Sequence, residues 1–280
     1  MQSKLQRRIQ RYGWDLAARC YEPLWQTALA PAQARLLEWA ALAPGKQVLD
    51  LACDTGLLSF AAAQVLGEQG ALLGIDLSGK MVEAAKARAD QAPTRNLSFT
   101  RMDAETLGLP DAGFDAVLCA LGLMYVPNPE QALREMCRVL RPGGRVAIAM
   151  WSEPPRCEWS AAFSSVDAEV ASAVCPMFFR LCQDRALARA LAQAQFETIR
   201  HCRIPVTLVY ADAQRACDAV FAGGPAALAW SRFDAAARQR VCVRYLAAIE
   251  AWRDGAAYRV PAEFVVATGV TPRDPTRVPA

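Results

Sequence analysis

The chain is 280 residues long and 54% apolar, with a formal net charge of +3, which fits one large domain with a sizeable core. Basic residues cluster only over Lys4 to Arg11, too small a patch for a nucleic-acid surface. No apolar run approaches the roughly 18 residues of a membrane span, and the polar, basic start lacks a signal-peptide core, so a cytoplasmic location is expected.

Residues 1–43 read as two helices. Tyr12, Trp14, Leu16, Tyr21, Leu24 and Trp25 mark the first, and Pro31 opens a second with Leu36, Leu37, Trp39 and Leu42. Pro44-Gly45 stops it. So many aromatics ahead of a sheet read equally as core packing or as a lid over a ligand crevice.

The stretch from Gln47 to Ala61 organises the rest of the chain. Val48-Leu49 is a short apolar run that ends in Asp50; small residues through Gly56 come next, then a helical pattern through Phe60, Ala63, Val65 and Leu66. This is strand, tight turn and helix. It places backbone N–H groups at the carboxyl end of a parallel strand, where open α/β sheets bind ligands. There is no Gly-Lys-Ser/Thr ending of a phosphate loop and no full Gly-x-Gly-x-x-Gly. A carboxylate at the strand tip repels a pyrophosphate and suits a cationic ligand.

Ala71 to Asp76 is a second buried strand with an acid at its tip, placed for the hydroxyls of a ribose. Ser78 stands ready to cap the helix that begins before Met81. A third strand, Leu97 to Met102, leads into Asp103-Ala104-Glu105. Phe114 to Ala120 is the fourth, and small residues at Ala120 and Gly122 permit close approach of backbone to ligand. Pro129 opens a helix through Leu140, and Arg141-Pro142-Gly143-Gly144 turns it into a fifth strand, Arg145 to Met150. Beyond an irregular aromatic stretch (Trp159, Phe163, Met177, Phe178, Phe179) come a helix from about Asp184 to Ala194 and a strand from Thr198 to Tyr210. A helical stretch from Asp212 to Ala251, divided at Gly223-Gly224-Pro225, precedes a final strand from Ala262 to Thr268. Gly269 to Ala280 is expected to be a frayed tail.

Motif after motif over residues 47–151, the chain resembles the class I S-adenosylmethionine (SAM)-dependent methyltransferases. The resemblance is to the ubiquinone/menaquinone-biosynthesis C-methyltransferases and their small-molecule relatives. Asp50 to Gly56 is similar to their Asp-x-Gly-x-Gly-x-Gly, with Ala52 and Gly56 at ordinary positions and Asp54 in place of the middle glycine. Asp103-Ala104-Glu105-Thr106-Leu107-Gly108-Leu109-Pro110 is similar to their Asp-Ala-Glu-x-Leu-Pro, and Leu140-Arg141-Pro142-Gly143-Gly144-Arg145 is typical of them. The resemblance implies a Rossmann-like seven-stranded, mostly parallel sheet with helices on both faces, an N-terminal helical cover and a helical insertion before the last strand. It implies SAM as cofactor, held by Asp50, Ala52, Asp54, Thr55, Gly56, Asp76, Leu77, Met81, Asp103, Ala104 and Ala120. Within that set Asp76 takes the ribose, Leu77 and Met81 pack near the adenosine, Asp103 accepts from the adenine amine, and the Ala104 N–H contacts the ring. Residues 1–43 are then a cover, 44–151 the cofactor core, 152–268 acceptor-recognition elements completing the sheet, and 269–280 a flexible tail.

Asp54 is the departure. Its Cβ crowds a ligand and a positive φ suits glycine, yet Asp is among the few other types that tolerate that conformation, and its charge favours a sulfonium or ammonium. The expected reaction is methyl transfer to a small, apolar or aromatic acceptor. The alternative is a SAM-binding or degenerate protein of the same fold with a non-methylating or scaffold role. Methyl transfer needs a base only if the acceptor enters protonated; His201 is the candidate base, and Tyr12 and Tyr21 on the cover are candidate catalytic residues as acceptor or cofactor contacts. The ten cysteines include no Cys-x-x-Cys pair and His201 is the single histidine, so no metal site is expected and the thiols read as reduced and partly buried. The expected partner is a small-molecule acceptor, without nucleic acid or a membrane span; the sequence leaves the oligomeric state open.

Overall fold

Apolar strands alternating with capped helices produce an open, twisted sheet in the computed structural model, which describes residues 3–92, 95–170, 178–183 and 185–273. The chain begins with α1 (Ser3–Ala40), one helix of 38 residues. Two helices were expected because Pro31 is a favoured first position. Instead α1 runs through both Pro23 and Pro31. A proline inside a helix forfeits one backbone bond, but Tyr21, Trp25, Leu29, Leu36 and Trp39 are all buried along this helix, and packing on both sides of Pro31 prevails over the local signal.

Next come β1 (Gln47–Leu51), α2 (Leu57–Leu66) and β2 (Ala71–Asp76), then α3 (Gly79–Gln91), β3 (Leu97–Arg101) and β4 (Phe114–Ala120). Ser78 caps α3 by accepting from the Met81 N–H at 3.1 Å, and Asn128 caps α4 (Pro129–Val139) by accepting from the Gln131 N–H. β5 (Leu140–Trp151) includes the turn that the sequence places before it. The chain continues through α5 (Ala161–Asp167), α6 (Ala186–Gln193) and β6 (Glu197–Tyr210). The insertion is α7 (Ala213–Cys217), a π-helical turn at Asp218–Ala222, α8 (Ala227–Arg232) and α9 (Ala235–Ala248). It divides at Gly223 to Pro225 as its glycines and proline require. β7 (Arg253–Asp254) and β8 (Ala257–Val270) close the chain. Met177 and Asp184, assigned above to the aromatic stretch and to the start of a helix, lie outside the described residues, as do 274–280. Gly269 and Val270, assigned to the tail, pair with Val146 and Arg145 of β5.

The strand order is β3-β2-β1-β4-β5-β8-β6, with the two-residue β7 paired to β8 off that path. The five strands β1 to β5 are mutually parallel, whereas β8 is antiparallel to both β5 and β6. From β1 the chain winds outward through β2 and β3, then returns to β4 on the other side. The reversal leaves a crevice at the carboxyl ends of β1 and β4, where open α/β sheets bind ligands. Leu49, Leu51, Leu58, Leu66, Leu72 and Ile75 fill the core beneath that crevice, all of them buried.

Candidate active site

The crevice is a cavity with an empty volume of about 990 Å3, the open solvent at its mouth included. The tips of β1, β2 and β4 form its floor and α1 its roof. Floor geometry comes from backbone that favours glycine: Ala52 (φ 59°), Asp54 (φ 50°) and Gly56 (φ 87°) alternate in the left-handed region after β1, and Leu121 (φ 61°) does the same after β4. At Gly122 a Cβ would lie 2.2 Å from the Ala52 Cβ. The two turns therefore meet only because residue 122 has no side chain.

Asp54 folds back toward α2. Its Oδ1 accepts from the Leu57 N–H at 3.2 Å and from the Thr55 hydroxyl at 3.4 Å, satisfying an N–H that the helix start leaves unpaired. Its own N–H donates to Asp76 Oδ2 at 3.1 Å, and Asp76 Oδ1 accepts from the Ser78 N–H at 2.8 Å. The β1 turn and the β2 tip are thus tied through one carboxylate. Asp50 lies beneath them, 1% exposed. It accepts from the Ser59 hydroxyl at 2.5 Å, while its Oδ1 has no partner among the described residues.

These three acids share one electrostatic problem. Burial, added to by the charge of Asp76, pushes the Asp50 carboxyl up to about 7. Burial, against hydrogen bonds from Ser78 and Asp54, leaves Asp76 raised to about 6. Asp54 is pushed well above the usual carboxylate range by burial and then by Asp50. None of the three forms an ion pair with a lysine or arginine among the described residues. An acid-rich, desolvated cradle of this kind favours a cation.

Ala52, Asp54, Asp76, Leu77, Met81, Asp103, Ala104 and Ala120 all line the cavity, as does Tyr21. Asp50, Thr55 and Gly56 stand behind the lining and shape it. Tyr21, buried on α1, turns its hydroxyl toward Asp54; burial and then that carboxylate push the phenol well above 10. Two of the three catalytic candidates fall elsewhere. Tyr12 is 43% exposed on the outer side of α1, with the Arg11 guanidinium 4.4 Å from its ring centroid. His201 is exposed on β6 and borders a separate small hollow with Cys182 and Arg203. A strand position alternates faces and a helix position rotates by 100°, so an approximate boundary did not fix either direction.

Sequence reasoning missed Arg7, Gln10, Trp151 and the Gly224-Pro225 wall as lining residues. Arg7 pairs with Asp103 Oδ2 at 3.1 Å and with Glu105 Oε2 at 2.5 Å, so it holds α1 down over the acid that the adenine was expected to meet. Asp15 and Glu22 fasten the same helix further along. Asp15 accepts from the Ser78 hydroxyl and the Lys80 N–H, and Glu22 from Arg88. Only the aromatic richness of the cover hinted at contacts of this kind.

Across β1 and β4 from the β2 and β3 tips, the lining changes character. Trp25, Trp151 and Trp159 form a trio with ring centroids 5.2 to 6.1 Å apart. Trp25 is fixed by donating its Nε1–H to the Gly223 carbonyl at 2.9 Å. Trp14 and Tyr125, 5.0 Å apart and edge to face, continue the aromatic wall. Offset and tilted rings at such spacings give a rigid apolar surface.

No group of three or more metal-ligating side chains occurs among the described residues. The described cysteines are free, and Cys175 lies outside the described residues.

A family profile described as a methyltransferase domain matches residues 42–199. The chain is 34% identical over 135 residues to aklanonic acid methyltransferase of Streptomyces sp. (strain C5), covering 48% of this chain and 61% of that one. It is 39% identical over 119 residues to a ubiquinone/menaquinone biosynthesis C-methyltransferase of Ectopseudomonas mendocina (strain ymp), covering 42% and 46%. It thus spans about half to three-fifths of the length of these relatives. In fold it is similar to the [4+2]-cyclase SpnF (TM-score 0.60, 22% identity, 89% of this chain and 83% of that one). It is also similar to the YcgJ protein of Bacillus subtilis (TM-score 0.61, 17% identity, 88% and 100%). The turn after β1, the acid-tipped parallel strands and the profile match over more than half its length agree: the chain belongs to the methyltransferase-domain family, on the Rossmann-like fold of class I SAM-dependent methyltransferases.

Proposed function

We propose that this protein transfers a methyl group from SAM to a small, uncharged, apolar or aromatic acceptor. One observation carries the reading. A single cavity has buried carboxyls without ion-pair partners at the β1 and β2 tips on one side and a tryptophan trio on the other, so a cationic nucleoside and a planar acceptor meet at the β1–β4 junction. The residues fit SAM. The acid cradle, whose carboxyls a bound cation ionises, matches its sulfonium and ammonium, the side-chain-free Gly122 keeps the junction open, and Asp54 leans on α2 rather than standing across it.

In this reading Asp76 accepts from the ribose hydroxyls, Leu77 and Met81 pack on the adenosine, and Asp103 with the Ala104 N–H meets the adenine once Arg7 yields its hold. Ala52, Asp54 and Ala120 surround the methionine moiety, with Asp50, Thr55 and Gly56 supporting the turn. Bound SAM supplies a methyl group on a good, neutral leaving group. The chain's own contribution is alignment and exclusion of water, which suffices for an in-line displacement when the approach is fixed. The tryptophans orient the acceptor by stacking, and the α1 roof shields the junction. Tyr21 stays protonated at neutral pH, so it serves as a hydrogen-bond donor beside the reacting groups rather than as a base.

A non-methylating role on the same fold is the alternative, since fold does not determine reaction. The folded-back Asp54 weighs against a degenerate loop. Calorimetric titration with SAM and S-adenosylhomocysteine, followed by radiolabelled methyl incorporation into hydroxylated naphthalene and anthracene derivatives, tests both readings. Binding with incorporation is expected. Binding without incorporation into any acceptor supports the alternative, and a folded sample that binds neither nucleoside sinks the proposal.

A further inference from the structure

The outer face of α1 is unusual for a helix that also roofs an active-site cavity. Leu5, Ile9, Tyr12 and Leu16 are 48%, 36%, 43% and 44% exposed. They account for four of the eight large hydrophobics that are exposed among the described residues. Their spacing of four, three and four residues stacks them in one stripe. Beside the stripe stand exposed Lys4, Arg8 and Arg19, with Arg11 half-buried over Tyr12. The two acids nearest the stripe are engaged by other elements. Asp15 is engaged by Ser78 and the Lys80 N–H, and Glu22 by Arg88. Arg7 likewise faces inward, to Asp103 and Glu105.

An apolar stripe flanked by cations, its one neighbouring carboxylate, Asp15, taken up by the start of α3, is the pattern of a helix lying in the plane of a lipid interface. A water-facing helix gains nothing from the stripe. We propose that the first five turns of α1 dock this protein onto an anionic phospholipid surface, with the apolar side chains entering the headgroup boundary and the basic ones facing lipid phosphates. The inner face of these turns carries Gln10 and Trp14 into the cavity. Docking therefore brings the cavity roof to the bilayer, so that an acceptor dissolved in lipid reaches the tryptophans with a short passage through water. The docking itself stands apart from the methyltransferase reading, and its readout needs no cofactor.

Cosedimentation of the full chain with phosphatidylcholine vesicles, with and without phosphatidylglycerol, tests the proposal. The expected result is binding to the vesicles that contain phosphatidylglycerol, weak binding to phosphatidylcholine alone, and release as salt rises from about 0.1 M to about 1 M, where screening shortens from about 10 Å to about 3 Å. Ile9→Glu with Leu16→Glu, both at exposed positions, should lower the partition at least about tenfold. Lys4→Gln and Arg8→Gln should each lower it about fivefold, the effect of one basic residue near an anionic surface. Melting temperature and S-adenosylhomocysteine affinity should be unchanged in all four substitutions. Absence of vesicle binding at low salt, or equal binding by the acidic double variant, overturns the proposal. So does a wild-type dimer in sedimentation velocity that the double variant converts to monomer without any vesicle binding, because a second copy then covers the stripe. Vesicle binding by a protein that fails to bind SAM would overturn the proposed function and leave this inference standing.

Discussion

Two residues decide whether the β1–β4 junction holds a ligand. Asp54 sits at φ 50°, a conformation that costs most non-glycine residues roughly 1–2 kcal/mol, and its carboxyl returns about 1 kcal/mol by accepting from the Leu57 N–H at the start of α2. Asp54→Gly removes both effects, so thermal melting should change by no more than about 1 kcal/mol in either direction. Asp54→Asn keeps an acceptor for the Leu57 N–H and removes the ionisable group. If the carboxylate faces the sulfonium, calorimetry should show Asp54→Asn losing several-fold more affinity for SAM than for S-adenosylhomocysteine; an equal loss for both places its charge on another part of the ligand. Gly122 works by absence. In Gly122→Ala the new Cβ meets Ala52 at 2.2 Å, so the turns must part, at a cost of roughly 1–3 kcal/mol as in other overpacked sites. Nucleoside binding should disappear in a protein that still melts cooperatively, and retained affinity would show that the junction is not where the ligand sits.

At the scale of elements, the parallel strands and their tips were legible because each tip carries its own signal. Asp50, Asp76 and Ala120 end short apolar runs, and buried parallel strands have little choice of sequence; Asp103 follows the half-exposed β3 and is marked by the Asp-Ala-Glu turn instead. The cover was less legible. Pro31 gave a local stop signal that the packing of Trp25, Leu29 and Leu36 overrides, so two expected helices are one. Contacts between α1 and the sheet join residues far apart in sequence, such as Arg7 with Asp103 or Trp25 with Gly223, and no local pattern encodes them. The same long-range latches make a prediction for the helix. Arg7 is the first point that fastens α1, and an ion pair partly open to water contributes about 0–1 kcal/mol. Arg7→Ala should leave global melting within that range while amides in the first three turns exchange with solvent measurably faster. Unchanged exchange there would mean that Asp15 and Glu22 hold the helix without it.

For the whole molecule, the buried acids link stability and ligand binding to pH. Asp50 and Asp76 titrate at about 7 and about 6 in the folded chain, against roughly 3.9 when unfolded. Between about pH 4 and pH 7 the folded state therefore binds more protons than the unfolded state, and stability falls as pH rises across that window. Their contribution is complete below the unfolded value and is lost as pH climbs through the folded ones. A bound cation reverses the balance, since it favours the ionised carboxylates and lowers their folded pKa. One cause thus has two measurable effects. Without ligand the melting temperature should drop from pH 5 to pH 8, less steeply in Asp50→Asn. Titration of SAM near pH 6.5 should release protons, read as a binding enthalpy that depends on the ionisation heat of the buffer, and affinity should rise toward pH 8. A binding enthalpy independent of buffer at that pH would mean that the acids at the β1 and β2 tips do not meet the ligand's charge, and the cradle would then be a feature of the fold rather than of its chemistry.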